Sequence, residues 1–132
     1  MTLRIGDFAT LLQVFDMPAS LAFYRDVLGF EVASDVPADD QCDWVMLKLH
    51  ESELMLNTAY EADERPASPD PARIAAHNDV TLYFDCKEVD AAYAYLRKRG
   101  VAAKPPQVAH YGMKQLYLKD PDGYEICLQH AV

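Results

Sequence analysis

The chain has 132 residues, a hydrophobic fraction of 51% and a formal net charge of −9 at pH 7. That length gives one domain with a real core, and the composition excludes a disordered chain. No apolar run nears the roughly 18 residues of a membrane span, the N-terminus lacks a signal-peptide layout, and the acidic balance argues against nucleic acid as a partner.

Phe8–Phe15 reads as a strand. Asp16-Met17-Pro18 opens a helix, with Asp16 as cap and Pro18 suited to the first turn. Leu21, Tyr24 and Leu28 recur at helical spacing, joined by Phe23 and Val27, and Gly29 stops the helix. Phe30–Ala33 begins a second strand, and the acidic stretch VPADDQCD is a loop. Trp44–Leu49 alternates, with Val45, Leu47 and Leu49 on one face. A tight turn near Glu51-Ser52 leads to the strand Glu53–Thr58. Glu61–Asn78, with three prolines, is a linker carrying one helical turn at Pro71–Ala76.

The pattern then repeats. Asp79–Asp85 is a strand; Val89, Ala92, Tyr93 and Leu96 form a helix stripe; Gly100 stops that helix. Val101–His110, containing Pro105-Pro106, is an irregular edge strand. Lys114–Leu118 and Tyr124–Gln129 are strands joined by the tight turn Asp120-Pro121-Asp122-Gly123. Gly29 and Gly100 lie about 71 positions apart, near half the chain. The organisation is β-α-β-β-β twice: module one at about 7–60, a linker at about 61–78 and module two at about 79–130. The fold class is α+β, each helix covering one face of an antiparallel sheet and leaving the other free to curve around a ligand.

Residues 31–70 hold eleven acids and two bases, which accounts for the whole net charge. A cationic ligand would be drawn to this stretch, although an acidic rim also serves solubility alone. Three cysteines, Cys42, Cys86 and Cys127, cannot pair completely and match no zinc spacing, which points to a reduced, cytoplasmic setting.

The segments LAFYRDVLGFEV (Leu21–Val32), VDAAYAYLRKRGV (Val89–Val101) and YGMKQLYLKDPDGYEICL (Tyr111–Leu128) resemble the vicinal oxygen chelate superfamily of glyoxalases, bleomycin-resistance proteins and extradiol dioxygenases. The resemblance implies two βαβββ modules forming a cup-shaped sheet, usually in a homodimer. In metal-using members it also implies four His or Glu ligands pointing into the cup. Carried over one at a time, those positions fall at Ala9, Met55, Thr81 and Cys127, which make no such metal site. No cofactor, metal ligand or catalytic residue is therefore expected. A displaced site using His77 or His110 with Glu125 is the lesser reading, because a metal requires three or four converging ligands.

Strand parity assigns the cup-lining face. It comprises Leu11, Gln13, Trp44, Met46, Met55, Asn57, Thr81, Tyr83, Gln115, Tyr117, Glu125 and Cys127, with Tyr111 in a loop beside it. Aromatic, thioether and neutral polar groups suit a planar or amphipathic organic ligand. A side-chain-filled cup or a dimer seam is the plainer reading of the same residues, and no base near Cys127 activates it as a nucleophile. The expectation is a metal-independent small-molecule binding protein akin to the bleomycin-resistance branch, with an aromatic or cationic ligand. The alternative is a lyase, isomerase or dioxygenase with a non-standard metal site.

Overall fold

The computed structural model describes residues 2–132. The chain divides into two compact units between Pro66 and Ala67, within the stretch read as a linker.

In the first unit, β1 (Thr10–Val14) leads into α1 (Met17–Leu21), which runs on as a π-helical stretch over Ala22–Val27. Then come β2 (Glu31–Val32), β3 (Trp44–Leu49) and β4 (Ser52–Thr58), in the sheet order β1-β4-β3-β2. The second unit holds α2 (Pro71–Ala76) with a 3-10 turn at His77–Asp79, then β5 (Thr81–Asp85), α3 (Val89–Lys98), β6 (Gln107–Val108), β7 (Met113–Lys119) and β8 (Glu125–Ala131). Its sheet order is β5-β8-β7-β6, the same topology. In each sheet two of the three pairings are antiparallel, as expected, and the third is parallel: β1 with β4, and β5 with β8. The parallel pair follows from connectivity. A helical crossover returns the chain in its starting direction, and two hairpin reversals then bring the fourth strand beside the first in that same direction.

Parity holds along the strands. Leu12, Val14, Val45, Leu47, Leu54 and Leu56 are buried on one face of the first sheet. Leu116, Leu118 and Ile126 are their counterparts in the second. Each such side chain contributes roughly 1.5–3 kcal/mol by leaving water. Leu21, Phe23 and Tyr24 complete the first core; Val89 and Leu96 complete the second.

The first helix departs from the expected stripe. Leu28 N–H bonds to the Phe23 carbonyl, five residues back, so the turn is widened by one residue. Val27 and Leu28 are only half-buried, while Tyr24 is fully enclosed, edge-on to Phe23 at 5.0 Å and to Phe30 at 5.8 Å. The edge segment Val101–His110 is also shorter than read. Only Gln107–Val108 and a single bridge from Ala103 to Leu118 pair there, because the intervening prolines donate no ladder hydrogen bond.

Candidate functional site

The open face of the first sheet is built in rows by strand register. Leu11, Met55 and Met46 lie abreast on β1, β4 and β3; Gln13, Asn57 and Trp44 form the next row. Leu11 and Trp44 are 43% and 41% exposed, and Met46, Met55 and Asn57 are half-buried. The surface is thus accessible, apolar and rich in thioether, with two amides and one indole at its rim. Lys48 pairs with Glu53 at the far end.

The matching rows of the second sheet carry different chemistry. Tyr83, Cys127 and Tyr117 lie abreast on β5, β8 and β7. The two phenol oxygens approach to 3.4 Å, arching over the fully buried Cys127. Burial pushes the Cys127 thiol up, and the charge of Glu125 adds to the rise against the opposing hydrogen bond with Tyr117. The Tyr117 phenol is raised in turn, first by its hydrogen bond with Tyr83 and then by burial. Cys127 is therefore a protonated, enclosed thiol, and a ligand on this face meets the tyrosines before it.

In the flanking row Gln115 Nε2 donates to Gln129 Oε1 at 2.9 Å and to Tyr111 Oη at 2.8 Å. Gln115 is buried and Tyr111 exposed, so the loop tyrosine is tethered to the sheet by a hidden amide. On the other side Thr81 Oγ1 donates to Glu125 Oε1 at 2.8 Å, and Lys119 pairs with Glu125 in the register. The structure thus brings Thr81, Tyr83, Tyr117, Glu125 and Cys127 together on one face with Gln115 and Tyr111, and Gln13, Trp44, Met55 and Asn57 together on the other sheet. Gln129, which orients Gln115, was missed; its place two residues beyond Cys127 on the same strand was the available signal.

The residues at the family's ligand positions do not fit its metal. Ala9, one residue before β1, has no donor atom. Met55 offers a soft thioether, the Thr81 hydroxyl is committed to Glu125, and Cys127 is held as a thiol. Among the described residues no group of three or more His, Cys, Asp or Glu is placed to hold a metal ion.

His77 is occupied elsewhere. Its ring stacks on Tyr124 at 3.9 Å, and its Nδ1 lies 2.7 Å from the Asp122 carbonyl, which can only accept, so Nδ1 carries the proton. Arg73 reaches the buried Asp122 carboxylate at 3.5 Å, and a Cβ on Gly123 would meet Ile74 at 2.7 Å. The helical turn α2 is thereby fastened to the Asp120–Gly123 turn. His110 lies edge-on to Tyr111 and is exposed.

The acidic loop of the first unit is pinned. Arg25, on the π-helical stretch, meets both carboxylate oxygens of Asp40 at 3.0 and 2.9 Å and also binds Asp26. The guanidinium holds the Asp40 carboxyl below the usual carboxylate range. Nothing in the spacing of these two residues announced the pair.

Among the described residues no helix is long and apolar enough to cross a membrane. A relative in Escherichia coli (strain K12), the uncharacterized protein YaeR, is 33% identical over 112 residues, covering 82% of each chain. Among solved structures, TnmS3, an antibiotic binding protein from Streptomyces sp. CB03234, aligns with a TM-score of 0.69 at 22% identity, covering 99% of this chain and 100% of that one. A lactoylglutathione lyase from Agrobacterium tumefaciens aligns with a TM-score of 0.68 at 22% identity, covering 96% and 94%. These structural likenesses establish the fold. The family model for the Glyoxalase/Bleomycin resistance protein/Dioxygenase superfamily matches residues 4–128, and the chain belongs to that superfamily.

Proposed function

We propose that this chain is a metal-independent small-molecule binding protein that receives an aromatic or cationic organic ligand on its open sheet faces. The observation that carries this reading is the coincidence of two facts. The four positions where metal-using members place ligands hold Ala9, Met55, Thr81 and Cys127. The surfaces around them offer thioether, indole and phenol groups with a few orienting amides and the carboxylates of Glu53 and Glu125. Such surfaces hold flat ligands by stacking and adaptable contact, and need no Lewis acid to do so. A fold neighbour that binds an antibiotic supports sequestration of a drug-like compound as the biological role. The reading extends to a homodimer in the cytoplasm.

The test is isothermal titration of flat cationic aromatic compounds, bleomycin-type drugs among them, with and without chelator. The expected result is saturable binding, unchanged by chelator and weakened by salt because the acidic stretch contributes. Stoichiometric iron, manganese, nickel or zinc in untagged protein, with binding that vanishes on chelation, would overturn it in favour of a metal-dependent enzyme.

A further inference from the structure

A cavity of about 230 Å³ lies at the end of the first sheet, where β1 and β4 run out. Phe15, Met17, Asp43, Thr58, Tyr60 and Arg65 contribute to its lining. Phe15 and Tyr60 stand at 83° to each other with ring centroids 6.2 Å apart, forming two walls of an aromatic corner. Met17 is fully buried and so a fixed part of the wall. Asp43 supplies a carboxylate, with the Thr58 hydroxyl 3.5 Å from it.

A cation already uses this corner. The Arg65 guanidinium, from the stretch after β4, lies 5.4 Å from the centre of the Phe15 ring, 3.5 Å from the Phe15 carbonyl and 3.7 Å from Asp16. These contacts are loose and partly exposed, so the side chain is held weakly enough to be displaced. The field at the wall is negative: besides burial, the charges of Asp40 and Asp43 push the neighbouring Cys42 thiol up. An anion would face Asp43 and Asp16 with a single guanidinium that is already engaged. Ring faces and carboxylates together favour positive charge.

We propose that this cavity is a second binding site, for a small organic monocation with a guanidinium or alkylammonium head, and that Arg65 is its built-in competitor. The incoming head takes the place of the Arg65 guanidinium over Phe15 and rests between Tyr60 and Asp43. The volume is below the roughly 300 Å³ at which drug-sized pockets begin, so the ligand is a small amine rather than a drug. Its lining shares no residue with the open-face set, and the proposal does not rest on that reading.

The experiment is an amide-resolved NMR titration of the full chain with butylammonium and methylguanidinium chlorides at constant ionic strength, with sodium acetate as the anionic control. Saturating shifts are expected at Asp43, Thr58 and Tyr60, with none at Tyr83 or Tyr117. Arg65→Ala, an exposed truncation, should tighten binding by about two- to fivefold, the equivalent of one exposed cation–π contact. Asp43→Asn should weaken it. Absence of saturation, shifts confined to Tyr83 and Tyr117, or an acetate response lost in Arg65→Ala would each overturn the proposal. The second of these outcomes leaves the open-face reading standing.

Discussion

The two units share strand order, register and the placement of buried leucines, yet their open faces have diverged. Where the first sheet sets Leu11, Met55 and Met46 abreast, the second sets Tyr83, Cys127 and Tyr117. The first row is half-open and can adapt to what lies on it. The second is tied by a phenol–phenol contact and flanked by the hydrogen-bonded pairs Gln115–Gln129 and Thr81–Glu125. A glutamate and a lysine persist at the matched ends of both sheets, Glu53 with Lys48 and Glu125 with Lys119. Register is thus preserved by the buried face, while the other face is free to change, because a side chain on one side of a strand does not constrain its neighbour on the other. Under the proposed binding role, the first face would adapt to a ligand and the second would select it.

The frame itself is the first thing to break. Leu47 and Leu118 occupy matched, buried positions. Leu47→Ala and Leu118→Ala should each cost about 2–5 kcal/mol in urea unfolding. A loss well below this in one of them would mean that the two cores are not equivalent.

The units differ next at their final turns. Gly123 takes φ +85° with Ile74 against its α-carbon, so Gly123→Ala meets both an unfavourable backbone and the α2 backbone carbonyl. It should destabilise by more than about 1–2 kcal/mol and loosen α2, seen as faster amide exchange over residues 72–77. Stability unchanged by this substitution would remove the claim that α2 is clamped to the turn.

The tyrosine arch gives a subtler contrast. In native protein Cys127 should be the last of the three thiols to react with a thiol reagent, and Tyr83→Ala should speed its modification at least several-fold while leaving Cys42 unchanged. Burial raises the folded-state thiol of Cys127, so its contribution to stability is present below the unfolded thiol value of about 8.5 and is lost as pH rises beyond it. Unfolding curves at pH 8 and pH 10 check the sign.

The smallest effect concerns the acidic loop. The Asp40 carboxyl is depressed by Arg25, so the pin holds above the usual carboxylate value of about 3.9 and is released as pH falls below it. Arg25→Ala should change the melting temperature little, since the pair is only half-buried and open to solvent screening, and raise amide exchange over residues 36–42.

Much of this frame was legible in the sequence. Alternation in Trp44–Leu49 fixed which residues face the core, and the spacing of Gly29 and Gly100 exposed the duplication. The helical turn at Pro71–Ala76 was expected within the linker, and the structure adds an Asp70 cap whose carboxylate accepts from Ala72 N–H. What was not legible depends on residues distant in sequence. The π-helical turn, which leaves Val27 and Leu28 only half-buried, shifts the helix register in a way that apolar spacing does not announce. The Arg25–Asp40 pin spans fifteen positions. The arch over Cys127 needs the register of three strands at once. The corner of Phe15, Tyr60 and Arg65 joins a strand end to a linker, and no periodicity encodes such a meeting.

The central claim, that the family frame here serves binding without its metal, is tested most directly by locating a bound ligand in chelator-treated protein. Amide-resolved NMR titration with a flat cationic aromatic compound should shift residues of the two open faces, Met46, Met55, Tyr83 and Tyr117 foremost, with the same saturation in the presence and absence of chelator. Shifts that appear only after a divalent metal is added back, or that avoid both faces, would contradict it.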